Sequence, residues 1–305
     1  MTAHHGHSHA VRADADRRAL AIALALILSF MAVEVVVGIM ASSLALLSDA
    51  AHMLTDAAAI CLSLVAARLA TRPAAGTMTY GMGRAEILSA QVNGITLLVL
   101  AAVIVFEAVR RLISPPDVDP LPVLAVALAG VVVNLAAVRV LAGANRQSLN
   151  VEGSYQHVVT DLYAFMATAV AAVVILATGL DRADAVASLV VAALMLRSAY
   201  GLLRASGRVF LEAAPEGVDP DVVGRALAAQ AGVVEVHDLH VWEVTSGFPA
   251  LSAHVLVGAG SDCHAIRREL EVLLDERFGL HHTTLQVEHE HSRLLSIEPV
   301  PRAPR

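Results

Sequence analysis

The chain has 305 residues, of which 57% are hydrophobic and 16% charged, and its mean hydropathy is +0.66. Soluble domains are about 25% charged, so this composition excludes an ordinary soluble protein and favours an integral membrane protein. The formal net charge of −7 argues against a nucleic-acid partner, which would require a basic surface.

Residues 1–18 are predicted to form a His-rich cytoplasmic tail, because they contain HHGHSH followed by a mixed-charge run. No cleavable signal peptide is predicted, since this start is polar and the next apolar stretch is long enough to span a bilayer. The histidines could collect metal ions, reach a neighbouring subunit, or have no structural role.

Six apolar segments follow the tail, each near the ~20 residues that a membrane-spanning helix needs. They cover residues 19–40, 44–68, 87–109, 121–142, 154–178 and 183–204. The stretches between them, such as 114–120 and 143–150, carry Gly, Pro, Asn and Asp, which are typical of turns. The sequence therefore predicts a six-helix transmembrane domain over residues 19–206.

Arginine placement predicts the orientation of these helices. With six helices both termini lie on one side, and most arginines flank that side. They are Arg12, Arg17, Arg18, Arg68, Arg72, Arg84, Arg139, Arg146, Arg197, Arg204 and Arg208, against Arg110, Arg111 and Arg182 on the other side. We therefore expect a multi-pass protein of the cell (inner) membrane with both termini in the cytoplasm.

Residues 207–292 have a different pattern, which predicts a cytoplasmic domain. VDPDVVGRALAAQ is typical of a helix, while VHDLHVWEVT and LSAHVLVG alternate apolar and polar residues as strands do. An amphipathic helix follows, with Ser261 or Asp262 as its N-cap and Gly279 at its end, and TTLQVEHE is a third strand. This αββαβ order predicts a small α+β domain, ferredoxin-like or metallochaperone-like. Residues 293–305 are predicted to be disordered.

A repeated His-x-x-x-Asp spacing marks the second and fifth apolar segments, as His52 with Asp56 and His157 with Asp161. Residues four apart share a helix face, so two facing pairs would offer the four N and O ligands that Zn²⁺ accepts. A divalent cation would also neutralise two carboxylates that are costly in lipid. One such pair alone could be an interhelical hydrogen bond. Asp49, one turn earlier, either contacts the ion pathway or caps the helix start.

At these residues the chain resembles the cation diffusion facilitator family, on its zinc-transporting branch. LLSDAAHMLTDA, TYGMGRAEILSA, VHDLHVWEVTSG and LSAHVLV carry the resemblance, together with His-x-x-x-Asp in helices 2 and 5. It implies a homodimeric secondary transporter in the lipid bilayer that exports Zn²⁺ in exchange for protons. It also implies that the four residues form the transport site. The chemistry of these ligands would also admit Cd²⁺ or Co²⁺ as secondary substrates.

Some family members have a second metal site in the loop between helices 2 and 3. Here Ala75, Met78 and Met82 stand where ligands would be expected, so we predict that this site is absent. The resemblance also implies a salt-bridge interlock between Arg84 and Glu212. The alternative is two exposed charges worth under ~1 kcal/mol.

The resemblance further implies a structural or regulatory Zn²⁺ in the cytoplasmic domain, held by His237, His254, His281 and Glu288. Weaker candidates, which could equally face solvent, are His240, His282, His289 and His291. Trp242 is expected in the core or at a dimer interface.

Two other classes of protein remain open. A membrane-anchored metal sensor would explain the cytoplasmic histidines but has no need of ligands in lipid. An intramembrane zinc enzyme needs an open coordination position and a general base, whereas four protein ligands close the site. We therefore predict a transporter and no enzyme.

Overall fold

The computed structural model describes residues 6–40, 44–114, 120–180 and 182–290. Within α1 and α2, the side chains of residues 6–15, 34, 37, 38, 40, 44–52 and 55 are outside that description. The predicted tail at 293–305 also lies outside it.

Six long helices come first in the chain, followed by a small α+β unit. The six are α1 (Gly6–Met40), α2 (Leu44–Ala70), α3 (Arg84–Ile113), α4 (Pro120–Ala142), α5 (Leu149–Thr178) and α6 (Arg182–Phe210). The remaining elements are α7 (Pro220–Ala228), β1 (Val233–Thr245), β2 (Phe248–Val257), α8 (Cys263–Phe278) and β3 (His282–His289). This order confirms the predicted fold class, a helical membrane domain followed by an αββαβ domain.

The helices extend beyond the predicted apolar segments. The first begins at Gly6 and not at residue 19, because Ala and Arg after the histidines are good helix formers. The fifth begins at Leu149 and not at 154, so Asn150 is helical although it was predicted to lie in a turn. Hydropathy detects the part of a helix that crosses lipid and misses its polar ends.

The chain divides into two compact units. One comprises the residues up to Phe210 together with Thr245–Gly247, and the other comprises Leu211–Val244 and the residues from Phe248 onward. Among the described residues, α3, α4, α5 and α6 are long and apolar enough to cross a membrane.

Helix α5 is central in the first unit, since it contacts each of the other five long helices. No residue from 149 to 162 is exposed, whereas its second half exposes Tyr163, Val170 and Val173. One apolar cluster joins α1, α2, α4 and α5, and a second joins α3 to α6. Small residues allow the close approach that helices in lipid use: a Cβ on Gly94 of α3 would lie 3.0 Å from Leu203 of α6.

The second unit is a three-stranded sheet in the order β1-β2-β3, with β2 parallel to β3. Its core joins strand residues to apolar residues of α7 and α8, among them Leu227 and Leu270. The predicted caps of α8 are confirmed. The backbone N–H groups of Ala265 and His264 donate to the Asp262 carboxylate and lower its pKa, and Gly279 ends the helix with φ +67°.

Replacing Leu270 with alanine should destabilise this unit by about 2–5 kcal/mol, because Leu270 is fully buried and its loss leaves a cavity. Urea unfolding of the full-length protein would be followed by fluorescence, since Trp242 in β1 is the chain's one tryptophan. The control is Val272→Ala on the same helix, where the side chain is 53% exposed and the change should stay within about 0.5 kcal/mol. Equal effects of the two changes would contradict the assigned core.

Candidate metal centre

Three of the four predicted intramembrane residues lie together. Asp56 comes from α2, while His157 and Asp161 are one turn apart on α5. The His157 Nε2 atom lies 2.8 Å from Asp56 Oδ1 and 3.9 Å from Asp161 Oδ2. The imidazole thus faces both carboxylates through one nitrogen.

The spacing of these atoms suits a small cation. Bonds of about 2.1 Å to a tetrahedral Zn²⁺ place neighbouring ligand atoms about 3.4 Å apart, and the two observed distances from His157 Nε2, 2.8 and 3.9 Å, lie on either side of that value. One ligand atom from each residue lies within 4.8 Å of the others, and no second such group of three His, Cys, Asp or Glu occurs among the described residues.

The site is enclosed by protein. The side chains of His157, Asp56 and Asp161 are 1%, 6% and 13% exposed. Within the described structure, His157 Nδ1 is one of three buried side-chain atoms without a hydrogen-bond partner. Two carboxylates in such a place require neutralisation, and either a divalent cation or protons can provide it.

His52 and Asp49 belong to α2, but their side chains lie outside the described residues. Their predicted roles as fourth ligand and as pathway residue therefore stay predictions. The loop between α2 and α3 contains Ala75 and Met78, which exchange backbone hydrogen bonds. The predicted absence of a metal site in that loop also stays a prediction.

The predicted cytoplasmic ligands fall into separate groups. The rings of His237 and His254 have centroids 5.4 Å apart. In contrast, His281 is paired with Asp275, and the Glu288 carboxylate accepts a hydrogen bond from Gln286.

Strand register explains this separation. His254 is level with Gln286 on β3, whereas His282 is level with Ala250 on β2. Four residues of strand span about 13 Å, which is too far for His281 and His254 to share one ion in this arrangement.

Sequence reasoning missed Asp238, whose carboxylate lies near two histidines of the cytoplasmic unit. Its carboxylate is 3.0 Å from His240 Nε2 and 3.9 Å from His254 Nε2. Asp238 also has a positive φ of 51°, a conformation that Asp tolerates better than most residues. Its sequence signal was the His-Asp-x-His pattern at 237–240.

The predicted interlock joins residues of different units. Arg84 begins α3 and Glu212 follows α6, and each has a polar partner. The pairing of these two residues stays a prediction.

Sequence reasoning also missed five buried polar residues of the helical unit: Ser63, Ser89, Asn93, Asn150 and Ser154, each at most 2% exposed. We call them the Ser–Asn cluster. Their signal was helical spacing, because Asn150 and Ser154 continue to His157 and Asp161 on one face of α5.

The fold defines a multi-pass membrane protein, and the buried group of two carboxylates and one imidazole is compatible with a metal site. Comparison with known families extends this result: residues 20–211 match the cation efflux transmembrane domain and residues 215–290 match the cation efflux protein cytoplasmic domain. The chain belongs to the cation diffusion facilitator family, a family of transporters.

Several curated proteins are similar over most of their length. The cadmium, cobalt and zinc/H(+)-K(+) antiporter of Bacillus subtilis is 36% identical over 90% of each chain. The metal cation efflux system protein CzcD of Cupriavidus metallidurans is 38% identical over 85% of this chain and 83% of its own. The zinc transporter ZitB of Escherichia coli is 37% identical, over 86% and 84%.

A solved structure, the metal-bound C-terminal domain of CzcD from Cupriavidus metallidurans, is 35% identical to this chain. It covers 23% of this chain and 99% of its own, with a TM-score of 0.23.

Proposed function

We propose that this protein exports Zn²⁺ from the cytoplasm across the cell (inner) membrane in exchange for protons. The observation that carries the proposal is the buried group of Asp56, His157 and Asp161 on two helices of the membrane unit. His52 would supply the fourth ligand. The names of the relatives from Bacillus subtilis and Escherichia coli support zinc as cargo, and the first of them, a zinc/H(+)-K(+) antiporter, supports protons as an exchanged ion.

The chemistry of the donors favours zinc over magnesium or calcium. Imidazole suits Zn²⁺, whereas the other two ions prefer shells made only of oxygen. Cd²⁺ and Co²⁺ are expected as secondary cargo, as the name of the Bacillus subtilis relative also suggests.

Exchange with protons follows from the charge of the site. Metal ligands must be deprotonated to bind, so metal binding releases protons and proton binding releases metal. In the proposed cycle, Zn²⁺ binds from the cytoplasm, the helices rearrange so that the site faces outward, and protons replace the metal.

The cytoplasmic unit is proposed to bind regulatory or structural Zn²⁺ and to join two copies of the chain. The proximity of His237 and His254 supports the first part, and the match to the cytoplasmic domain of cation efflux proteins supports the second. For His281 and Glu288 to join this site, their present partners would have to be released. We retain the Arg84–Glu212 interlock as a proposal of the same kind.

The decisive test is zinc uptake into inverted membrane vesicles with an acidic lumen. Because the cytoplasmic face of the membrane is on the outside of such vesicles, export of zinc appears as uptake. Protons that leave the acidic lumen down their gradient should accelerate this uptake. A proton ionophore should return uptake to the level of protein-free vesicles. Zinc binding without any gradient-dependent uptake would instead indicate a membrane-anchored sensor and overturn the proposal.

A further inference from the structure

The Ser–Asn cluster connects α2, α3 and α5 through hydrogen bonds centred on Ser63. The Ser154 hydroxyl donates to Ser63 Oγ at 2.7 Å, and the Asn93 amide donates to the same oxygen at 3.3 Å. The Asn150 amide donates to the Ser63 carbonyl at 2.8 Å, and Ser89 Oγ lies 3.4 Å from Ser63 Oγ. The cluster therefore consists entirely of neutral side chains, and each of the other four contacts Ser63.

Two oxygens of this cluster have no partner. Among the described residues, the only orphaned buried side-chain atoms besides His157 Nδ1 are Asn93 Oδ1 and Asn150 Oδ1. The amide of Asn150 cannot simply be turned round, because its oxygen would then face the Ser63 carbonyl. A buried amide oxygen without a donor is costly, and either a hydrogen-bond donor or a cation would satisfy each of these two atoms.

Two helices that carry the cluster, α2 and α5, also carry the metal centre, which is the group of Asp56, His157 and Asp161. Asn150 and Ser154 precede His157 and Asp161 on one face of α5, and Ser63 follows Asp56 by two turns of α2. Seven residues of helix correspond to about 10 Å. Ser63 thus lies about two turns from Asp56 on α2, whereas on α5 Asn150 lies about two turns and Ser154 about one turn before His157.

Polar contacts continue beyond the cluster, away from the metal centre. Ser148 immediately precedes α5, and its hydroxyl donates to the Glu86 carboxylate at 2.8 Å. The nearby Asn145 backbone N–H donates to the buried Asp16 carboxylate, also at 2.8 Å. Two carboxylates of α1 and α3 thus contact the segment just before α5, and the neutral side chains of the cluster and then the metal centre follow along α5.

We propose that the Ser–Asn cluster is a second cation site of low affinity. A partly hydrated divalent metal ion occupies it transiently on its way from the cytoplasm to the metal centre. Asn93 Oδ1, Asn150 Oδ1 and the serine hydroxyls replace part of its hydration shell. Neutral donors hold the ion less firmly than carboxylates and imidazole do, so it moves on, as conduction through several weak sites requires. The inference rests on the proposed function, in which metal arrives from the cytoplasm.

The test compares Asn150→Leu and Asn93→Leu with Asn134→Leu. The control is a buried asparagine of α4 in the same unit, and its amide donates within its own helix, to Gly130. Zinc uptake into inverted vesicles gives kcat and KM, and zinc titration of the purified full-length protein gives the affinity of the metal centre.

The two cluster variants should raise the zinc KM about tenfold, since the arriving ion loses one of its polar partners, and saturating zinc should restore kcat. The affinity of the metal centre should stay within about threefold, because Asn150 lies two turns before His157 and Asn93 lies on α3, which carries none of the three residues of that centre. If the cluster only joined helices, the substitutions would lower the zinc affinity of the metal centre and the yield of folded protein together. They would not raise KM while leaving kcat unchanged.

The inference is overturned if both cluster variants transport like Asn134→Leu, or if they lose metal-centre affinity in parallel with transport. Should a leucine variant fail to fold, Ser154→Ala, which removes only one hydroxyl, decides by the same KM criterion. Failure of the function itself is distinguishable, because then the wild-type protein shows no gradient-driven zinc uptake.

Discussion

Replacing Asp56 with asparagine should reduce gradient-driven zinc uptake by at least about 100-fold. Loss of groups that merely orient a ligand already costs 10–100-fold in metal affinity, and Asp56 would be a ligand itself. Asparagine preserves the size of the side chain and can still hydrogen-bond His157 Nε2, which lies 2.8 Å away, but it removes one of two negative charges. The measurement is the initial rate of zinc uptake into inverted vesicles.

A matched control is Asp184→Asn, the same substitution in α6. The Asp184 carboxylate lies outside the metal centre and accepts a hydrogen bond from Arg111 at 2.9 Å, and the side chains of Asp184 and Arg111 are 20% and 47% exposed. This variant should retain most of the wild-type rate, because exposed ion pairs contribute little. Uptake by Asp56→Asn within about threefold of wild type would exclude Asp56 as a zinc ligand.

Exchanging His52 for aspartate should change the metal preference of the transporter towards manganese. The site would then contain three carboxylates and one imidazole, and oxygen ligands favour harder cations such as Mn²⁺. We expect the ratio of zinc to manganese uptake to fall at least about tenfold, a change that corresponds to 1.4 kcal/mol of relative transition-state stabilisation. Paired uptake assays with each metal on one vesicle preparation measure this ratio.

The control for this variant is His237→Asp, which makes the same exchange in β1 of the cytoplasmic unit. It should leave the zinc-to-manganese ratio of transport unchanged even if it alters the dependence of the rate on zinc concentration. If His52→Asp also leaves the ratio unchanged, His52 is not the fourth ligand, and another residue completes the site.

The helices of the membrane unit could be predicted because lipid imposes one simple rule: about 20 apolar residues in succession. The same rule fails at helix ends inside the protein. Asn150 was predicted to lie in a turn, yet it is fully buried in α5, where its amide donates a hydrogen bond to the Ser63 carbonyl. Partners that are distant in sequence cannot be deduced from composition.

The candidate metal centre could be predicted from the sequence because its residues obey helical spacing and are chemically unusual in lipid. Asp56, His157 and Asp161 meet as their spacing predicted, although their role stays a proposal. The cytoplasmic set was less accessible, because strand register decides which side chains are level. His254 is level with Gln286 and not with the start of β3.

The two halves of α5 will differ in their tolerance of mutation. Residues 149–162 have no exposed side chain, whereas Tyr163 and several later residues face outward. In a library that samples every substitution along this helix, survivors under zinc stress should be few before Tyr163 and should admit almost any apolar residue at the outward positions after it. Genetic selection would then map, without any structural measurement, where the helix leaves the protein interior and meets the bilayer.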